Sequence, residues 1–419
     1  MPILKTLSKA TREKERFAIP KSVQDAIPIR RIWPDGIFQV GNRFSKSFSF
    51  TDINYAIAGK DDKTTMFLDY SELLNALDSG AFAKITIHNR RVNKKEFERS
   101  LLLPMKGDSL DPFRLEYNEM LLSKVTGTNN SVVQDRCLTI SVAKRTVEEA
   151  RAYFARVGTD IITHLAQLSS VGRELDDSAR LRIFRDFFRG DEPDAFAFDL
   201  KEHMRKGHSF KDWFCPDSLE FQKDHFRIND RWGRVLYLQN YASYIKDSIV
   251  SELCDLNRSL MLSIDILPVP TDEAVREIQN KLLGVETNAA NWQRKQNAAQ
   301  NYSAVLPYDM EQQRQETKEM LDDLTNRDQR MMLGLVTLVH LADSREQLDS
   351  DTETILTVAR KNLCQMSVLR WQQKDGLDTV LPYGLRKIQA LRTLTTESTA
   401  VLIPFRAQEI LHSGGIYYG

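Results

Sequence analysis

Two stretches of this sequence, residues 37–176 and 219–371, carry the same order of strand-like and helix-like patterns. The first stretch opens with alternating apolar and polar residues in FQVGNRFSKSFSF (38–50) and continues with apolar residues at helical spacing, as at Leu73, Leu74 and Leu77. In both stretches the order is approximately strand, strand, helix, strand, helix, strand, helix, strand. We therefore predict an internal duplication of one unit, which rests on element order because no residue-level repeat is visible.

This order predicts an α/β (α+β) fold with two tandem, similar sheet-and-helix domains. Apolar stripes that follow Pro270 and Pro307 predict a helical hairpin inserted in the second domain, and the apolar run 331–342 predicts a strand buried on both faces. The predicted parts are a basic N-terminal arm (1–35), a first domain (36–190), a linker (191–218), a second domain (219–373) with its hairpin (271–325), and a connection (374–419) toward a further domain.

Charge is balanced over the whole chain but not along it. Lys plus Arg and Asp plus Glu both number 58 in 419 residues, so no net field attracts the protein to nucleic acid or a membrane. Residues 1–31 hold 8 basic and 3 acidic residues, and residues 84–106 hold 7 and 2. A solvated surface is the plainer interpretation of both stretches, and a binding patch is the alternative.

Two small groups are our candidates for an interaction surface. In the N-terminal arm they are Arg30, Arg31 and Trp33, and in the segment HNRRVNKKEFER (88–99) they are Arg90, Arg91, Lys94 and Lys95. The second group could contact phosphates, with Phe97 available for stacking. A surface loop is the competing interpretation, because no second aromatic residue accompanies Phe97.

The sequence contains no motif for the commonest catalytic or cofactor sites. A phosphate-binding loop needs GxxxxGK[ST], and the one Gly-Lys pair, Gly59-Lys60, lacks that context. The four cysteines are far apart, which favours reduced thiols and leaves no metal-binding pair. We expect no catalytic residues, metal or cofactor in these 419 residues.

Long segments of the chain resemble one protein family. The C-terminal segments are DQRMMLGLVTLVHLADSREQLDSDTETILTVARKNLCQMSVLRWQQKDGLDTVLPYG and LRTLTTESTAVLIPFRAQEILHSGGIYYG, and the N-terminal ones are GIFQVGNRFSKSFSFTDINYAIA and YSELLNALDSGAFAKITIHNRRVN. They resemble the region before the motor domain of conjugal-transfer ATPases of type IV secretion systems, the CagE/TrbE/VirB family, in the branch carried by integrative conjugative elements.

That resemblance implies a docking and assembly role without catalysis by this region. It implies contact with inner-membrane subunits of the secretion system and with the chain's own motor domain, and arrangement of the full-length protein into hexamers. ATP and Mg²⁺ are implied only for the motor domain, which would follow the Gly-Gly-aromatic stretch at 414–417. The implied location is cytoplasmic, peripheral at the cytoplasmic face of the cell membrane.

Two alternatives from other functional classes stay open at this point. The first is a single-stranded DNA-binding accessory protein of conjugation, whose affinity would fall steeply with salt. The second is a free-standing enzyme with an unrecognised site, which nucleotide or metal would stabilise against heat. The sequence leaves direct contact with nucleic acid undecided.

Overall fold

A computed structural model describes residues 20–91, 102–127, 132–190, 198–242, 245–302 and 305–407. In the first half, the elements in chain order are α1 (Val23–Ala26), β1 (Ile29–Ile32), β2 (Phe38–Val40), β3 (Arg43–Phe50), α2 (Lys60–Asn75), β4 (Ala81–Arg91), α3 (Asp111–Gly127), β5 (Val132–Ala143), α4 (Val147–Gln167), β6 (Gly172–Glu174) and α5 (Asp177–Arg189).

The second half repeats this order and adds a short C-terminal section. Its elements are α6 (Leu200–Arg205), a 3-10 turn (Phe210–Trp213), β7 (Leu219–Phe221), β8 (Phe226–Ile228), β9 (Arg231–Asn240), α7 (Ser248–Cys254), β10 (Leu260–Pro268), α8 (Thr271–Ala298), α9 (Tyr308–Asn326), β11 (Met331–Ala342), α10 (Arg345–Lys361), β12 (Gln365–Val368), α11 (Gln373–Val380), β13 (Arg392–Thr395) and α12 (Thr396–Ala400). The α+β class and the helical hairpin, now α8 and α9, are confirmed.

One antiparallel sheet runs through both halves. Its strand order is β1-β2-β3-β5-β4-β10-β11-β9-β8-β7, with β6 also paired to β3, β12 to β9 and β13 to β11. Read from either end, this order visits equivalent strands of the two halves. The halves therefore meet at the pairing of β4 with β10, about which they are related by an approximate two-fold axis.

Strand register shows that the two halves match residue by residue across the sheet. Thr86 faces Ser263 at the central pairing. Outward from Thr86 the facing residues are Cys137, Ser49 and Arg173. Outward from Ser263 they are Thr337, Tyr237 and Ser367. Because side chains of facing residues project from the same side of a sheet, these eight residues form one row, which we call the central row.

Helices cover both faces of the sheet. One face packs against α2, α4, α7, α10 and α12 through a large apolar core that includes Phe48, Leu138, Leu262 and Leu338. The other face packs against α5 and α11 through a second core that includes Phe184 and Tyr383, whose rings stack at 4.7 Å. Both faces of the sheet are thus buried over most of its width, as predicted for residues 331–342.

The sequence sets the start and the buried side of α5, which borders the site described below. The Asp176 side chain accepts a hydrogen bond from the Ala179 amide at 2.8 Å and so caps the first turn. Leu181, Phe184 and Phe188 recur at helical spacing and are buried. Arg180 is buried with them, and its guanidinium lies 3.9 Å from the centre of the Phe38 ring.

Three segments predicted to lie outside the two units contribute to the sheet or its cores. Residues 29–32, which we expected in an extended arm, form β1 and pair with β2 because Ile29 is apolar and fully buried. In the predicted linker, Phe198 and Phe214 are buried in the second core. Residues 373–407 form α11, β13 and α12, so they pack on the sheet and do not simply connect it to another domain.

No helix in the ranges that the structure describes has both the length and the apolar character needed to cross a bilayer.

Candidate binding cleft

The candidates in the N-terminal arm lie on the outermost strand of the first half. Arg30 and Arg31 are exposed on β1. Trp33 is only partly exposed, because its ring packs 5.8 Å from that of Phe44 against the large core. The two arginines are therefore accessible to solvent, whereas Trp33 packs on the core at the start of the sheet.

The second group of candidates divides at the end of β4. Arg90 is part of β4, and its side chain is 16% exposed. Arg91 is the last residue of the strand, and its side chain is not described. Lys94 and Lys95 lie outside the described residues. Arg90 is thus the member of this group that the structure places in a site.

Arg90 lines a cleft of about 670 Å³ between the sheet and α5. This volume is within the range of ordinary ligand sites. The cleft is lined by the end of β3 and the residues after it, the end of β4, the start of β5, the β6 region and one side of α5, and its lining includes His88, Arg90, Arg136, Cys137, Arg173 and Arg182.

The cleft lies where two neighbouring strands separate. Pairing of β3 with β5 ends at Ser49 and Cys137, although β5 begins five residues earlier, at Val132. All four residues from Ser49 to Asp52 and all four from Gln134 to Cys137 line the cleft. Since consecutive strand residues point to opposite faces, a cavity that touches all of them lies at the strand edge and not above one face. Among the described residues, no strand pairs with 132–136 on this side.

Four arginines and three aspartates line the cleft, which leaves one positive charge in excess. Arg90 Nε lies 2.6 Å from Asp135 Oδ2, and Arg136 Nη2 lies 2.6 Å from Asp52 Oδ2. Arg136 Nε also donates a 2.8 Å hydrogen bond to the carbonyl oxygen of Pro404. These contacts hold Arg90 and Arg136 in fixed positions along the start of β5.

Arg173 differs from these two arginines. It is exposed on β6 and belongs to the central row, so its side chain projects from the sheet face that α5 covers. Its guanidinium makes no ion pair with any residue in the described ranges. Arg182 of α5 lines the same cleft and lies 3.8 Å from Asp186. The pair Arg173 and Arg182 therefore gives the outer part of the cleft an attraction for carboxylates or other anions.

Two other polar groups in the cleft are uncharged at neutral pH. Burial lowers the pKa of His88 to about 4, so its imidazole is neutral. Burial raises the pKa of the Cys137 thiol to about 12, which keeps it protonated and makes it a poor nucleophile. The charge of the site thus comes from its four arginines and three aspartates, and the excess of one positive charge favours an anionic ligand.

The equivalent place in the second half is filled by a strand. Residues 332–334 of β11 occupy the position that 132–134 occupy in the first half, and β13 pairs with them. Leu394 of β13 lies over Gly334, since a Cβ atom on that glycine would come within 2.7 Å of Leu394 Cδ1. The same fold therefore accommodates an added antiparallel strand at this edge.

Sequence reasoning identified Arg90 but missed the rest of the cleft. Arg136, Arg173 and Arg182 lie in three different elements, far apart in the sequence, and only the sheet brings them together. In the sequence, only the difference in length between the segments that form β3 and β5 indicated that part of β5 would lack a partner. As for metals, no cluster of His, Cys, Asp or Glu in the described ranges could hold an ion.

Comparison with known proteins gives no match that would identify a function for the cleft. No protein-family model matches the chain, and no curated protein matches it significantly.

Proposed function

We propose that this chain is a non-catalytic docking and assembly region of a type IV secretion conjugation ATPase. In this role it joins the motor to inner-membrane subunits of the secretion system during transfer of DNA or protein. The protein lies at the cytoplasmic face of the membrane and is held there by its partners. ATP and Mg²⁺ act in the motor domain, and hexamers form in the full-length protein.

One observation carries this proposal: an open strand edge, 132–136, lined by fixed charges in a sheet that spans both halves. Exposed strand edges accept additional strands, and proteins usually protect those that have no partner. An edge that lies inside a charged cleft is shielded from unspecific pairing yet open to a matching segment. The long sequence segments quoted above support the choice of protein class.

The continuous sheet supports the assembly part of the proposal. Because β4 and β10 pair over seven residues, the two halves form one body, and a partner bound to one half is held at a fixed distance from the other. The exposed arginines of β1, Arg30 and Arg31, provide a second contact at the outer edge of the same sheet. Such a body can position a motor relative to a membrane platform.

Co-expression with the inner-membrane subunits of a type IV secretion system, followed by flotation of membranes in a density gradient, tests this function. We expect the chain to float with membranes only when those subunits are present. A matched control uses an unrelated membrane protein at the same expression level. Equal flotation with the control, or none with the secretion subunits, would refute the proposal.

A further inference from the structure

We propose that the cleft binds an extended, acidic segment of a partner protein, which adds to the sheet as an antiparallel strand beside 132–136. This inference deepens the proposed function, on which it rests, by naming the site and the chemistry of the partner. The segment takes the place in the first half that β13 takes in the second. The backbone, the space, the charge and the fixed position of this edge support the proposal.

The backbone of 132–136 has hydrogen-bonding groups that an added strand can use. A strand without a neighbour leaves alternate N–H and C=O groups directed outward, and Val133 and Asp135 are exposed on this stretch of β5. In the second half, β13 satisfies the equivalent groups of β11 through pairs from Met331 with Thr395 to Gly334 with Arg392. The repeat thus supplies the direction of the added strand, which is antiparallel to β5.

The cleft beside β5 has room for an added strand. In the second half the central row has the large side chain of Tyr237 where the first half has Ser49. Ser49 lines the cleft of about 670 Å³ beside β5. A strand of four or five residues, with its neighbours about 4.8 Å away, fits in a gap of this kind.

The charge on the α5 side of the cleft favours an acidic segment. Alternate side chains of an added strand face α5, which carries Arg182, and Arg173 of β6 lines the same cleft. Arg173 makes no ion pair within the described ranges, and carboxylates form short, charge-assisted hydrogen bonds with guanidinium groups. A segment with Glu or Asp at every second position therefore matches this side of the cleft.

Side-chain contacts hold the edge 132–136 in place. Asp52 Oδ1 accepts a 2.7 Å hydrogen bond from the Arg406 amide while its other oxygen pairs with Arg136. The contacts of Arg136 with Asp52 and with the Pro404 carbonyl tie the start of β5 to the C-terminal section. The edge is thus positioned before a partner arrives, which lowers the entropy cost of binding.

A synthetic peptide tests the inference on the full chain. The probe is the fluorescein-labelled peptide GTEVEVETGS, and binding is followed by fluorescence anisotropy. Two control peptides accompany it: GTKVKVKTGS, with reversed charge, and the acidic peptide with every backbone nitrogen of its central EVEVE segment methylated, which keeps its charges but removes the N–H donors of both strand edges. We expect both controls to bind at least about tenfold more weakly.

Protein variants locate the binding. Arg173→Glu should weaken binding of the acidic peptide by about tenfold or more, because it replaces an attraction with a repulsion. Arg205→Glu, at a position on α6 that is also exposed, should leave binding unchanged. Hydrogen exchange should show that amides in 132–136 gain protection when the acidic peptide binds. Circular dichroism confirms that both variants are folded.

Several results would overturn the inference. These are equal binding of the methylated or the lysine peptide, no effect of Arg173→Glu, or no added protection at 132–136. A dT20 oligonucleotide that displaces the peptide and requires Arg173 would assign the cleft to nucleic acid. Binding seen only in a variant that ends at Ala407 would assign the edge to the chain's own residues 408–419. Any of these results with intact membrane flotation refutes the cleft alone, whereas loss of flotation refutes the proposed function.

Discussion

The Lys84 ammonium group lies 2.7 Å from a carboxylate oxygen of Asp265, and both side chains are completely buried. The two residues face each other in the pairing of β4 with β10, where the halves of the molecule join. Burial lowers the pKa of Lys84 and raises the pKa of Asp265, and the attraction between them opposes both shifts. Each charge is therefore tolerated at the junction because the other is present.

Removing one partner of this ion pair should destabilise the protein more than removing both. Lys84→Met leaves a buried carboxylate without its cation, and we expect a loss of about 3–5 kcal/mol in the free energy of unfolding. The double variant Lys84→Met with Asp265→Leu should recover most of that loss. Urea denaturation of the two single variants and the double variant measures the coupling, and additive losses would contradict this account.

Arg180 is predicted to be a structural centre of the first half. Its guanidinium donates hydrogen bonds to the carbonyl oxygens of Gly36 and Ser45 at 2.8 and 2.7 Å, and to that of Pro382 at 3.2 Å. Arg180→Met leaves these buried acceptors unpaired, so we expect a loss of about 3 kcal/mol or more. Urea denaturation should show a change of less than about 0.5 kcal/mol for the exposed control Arg145→Met. Similar losses for both variants would argue against this role.

Alanine substitutions at two glycines with positive φ distinguish the cost of backbone strain from the cost of steric overlap. Gly107 has φ +73° and nothing within 4 Å of an added Cβ, whereas Gly384 has φ +81° and a Cβ there would lie 2.4 Å from Ser45 Cβ. Gly107→Ala should cost about 1 kcal/mol, from φ alone. Gly384→Ala should cost about 3 kcal/mol, because the overlap adds to the strain. Thermal denaturation compares them, and equal shifts in Tm would show that the contact with Ser45 is unimportant.

Stability should decrease in mild acid because of two buried histidines. Burial lowers the pKa of His88 to about 4 and that of His340 to about 3, so both stay neutral in the folded protein while the unfolded chain protonates near its usual pKa of about 6.5. Their contribution is fully present above about pH 6.5 and is lost as the pH falls toward 4. From pH 6.5 to 5 we expect these two groups to lower the free energy of unfolding by about 3 kcal/mol.

Urea denaturation across this pH range tests the histidine prediction. His340→Gln should remove about half of the dependence, and the exposed His208, whose side chain is 59% accessible, provides the control variant His208→Gln. An unchanged slope in His340→Gln would show that other groups cause the effect.

The order of elements could be predicted from the sequence because each element carries its own periodicity. The helical hairpin and the fully buried β11 are visible in their own residues. The pairing of β4 with β10 is not, since the alternating pattern of a strand does not identify its neighbours. For the same reason the sequence suggested two separate units where the structure has one sheet.

The cleft was harder to predict than the fold. It depends on a strand that is present beside β11 and has no counterpart beside β5 among the described residues. Its charges come from separate elements, and charged residues in a sequence normally indicate exposed surface. By the same rule Lys84, Asp265 and Arg180 would be expected at the surface, but they are buried because partners distant in the sequence compensate them.

The antiparallel junction of β4 and β10 also has a mechanical consequence. Its seven residue pairs cross the junction side by side, with their hydrogen bonds perpendicular to the strands. Tension applied along the strands, pulling one half past the other, loads all seven pairs in shear at the same time. A pull that peels the strands apart would break the pairs one after another. We therefore expect this molecule to transmit force much better along its central strands than across them.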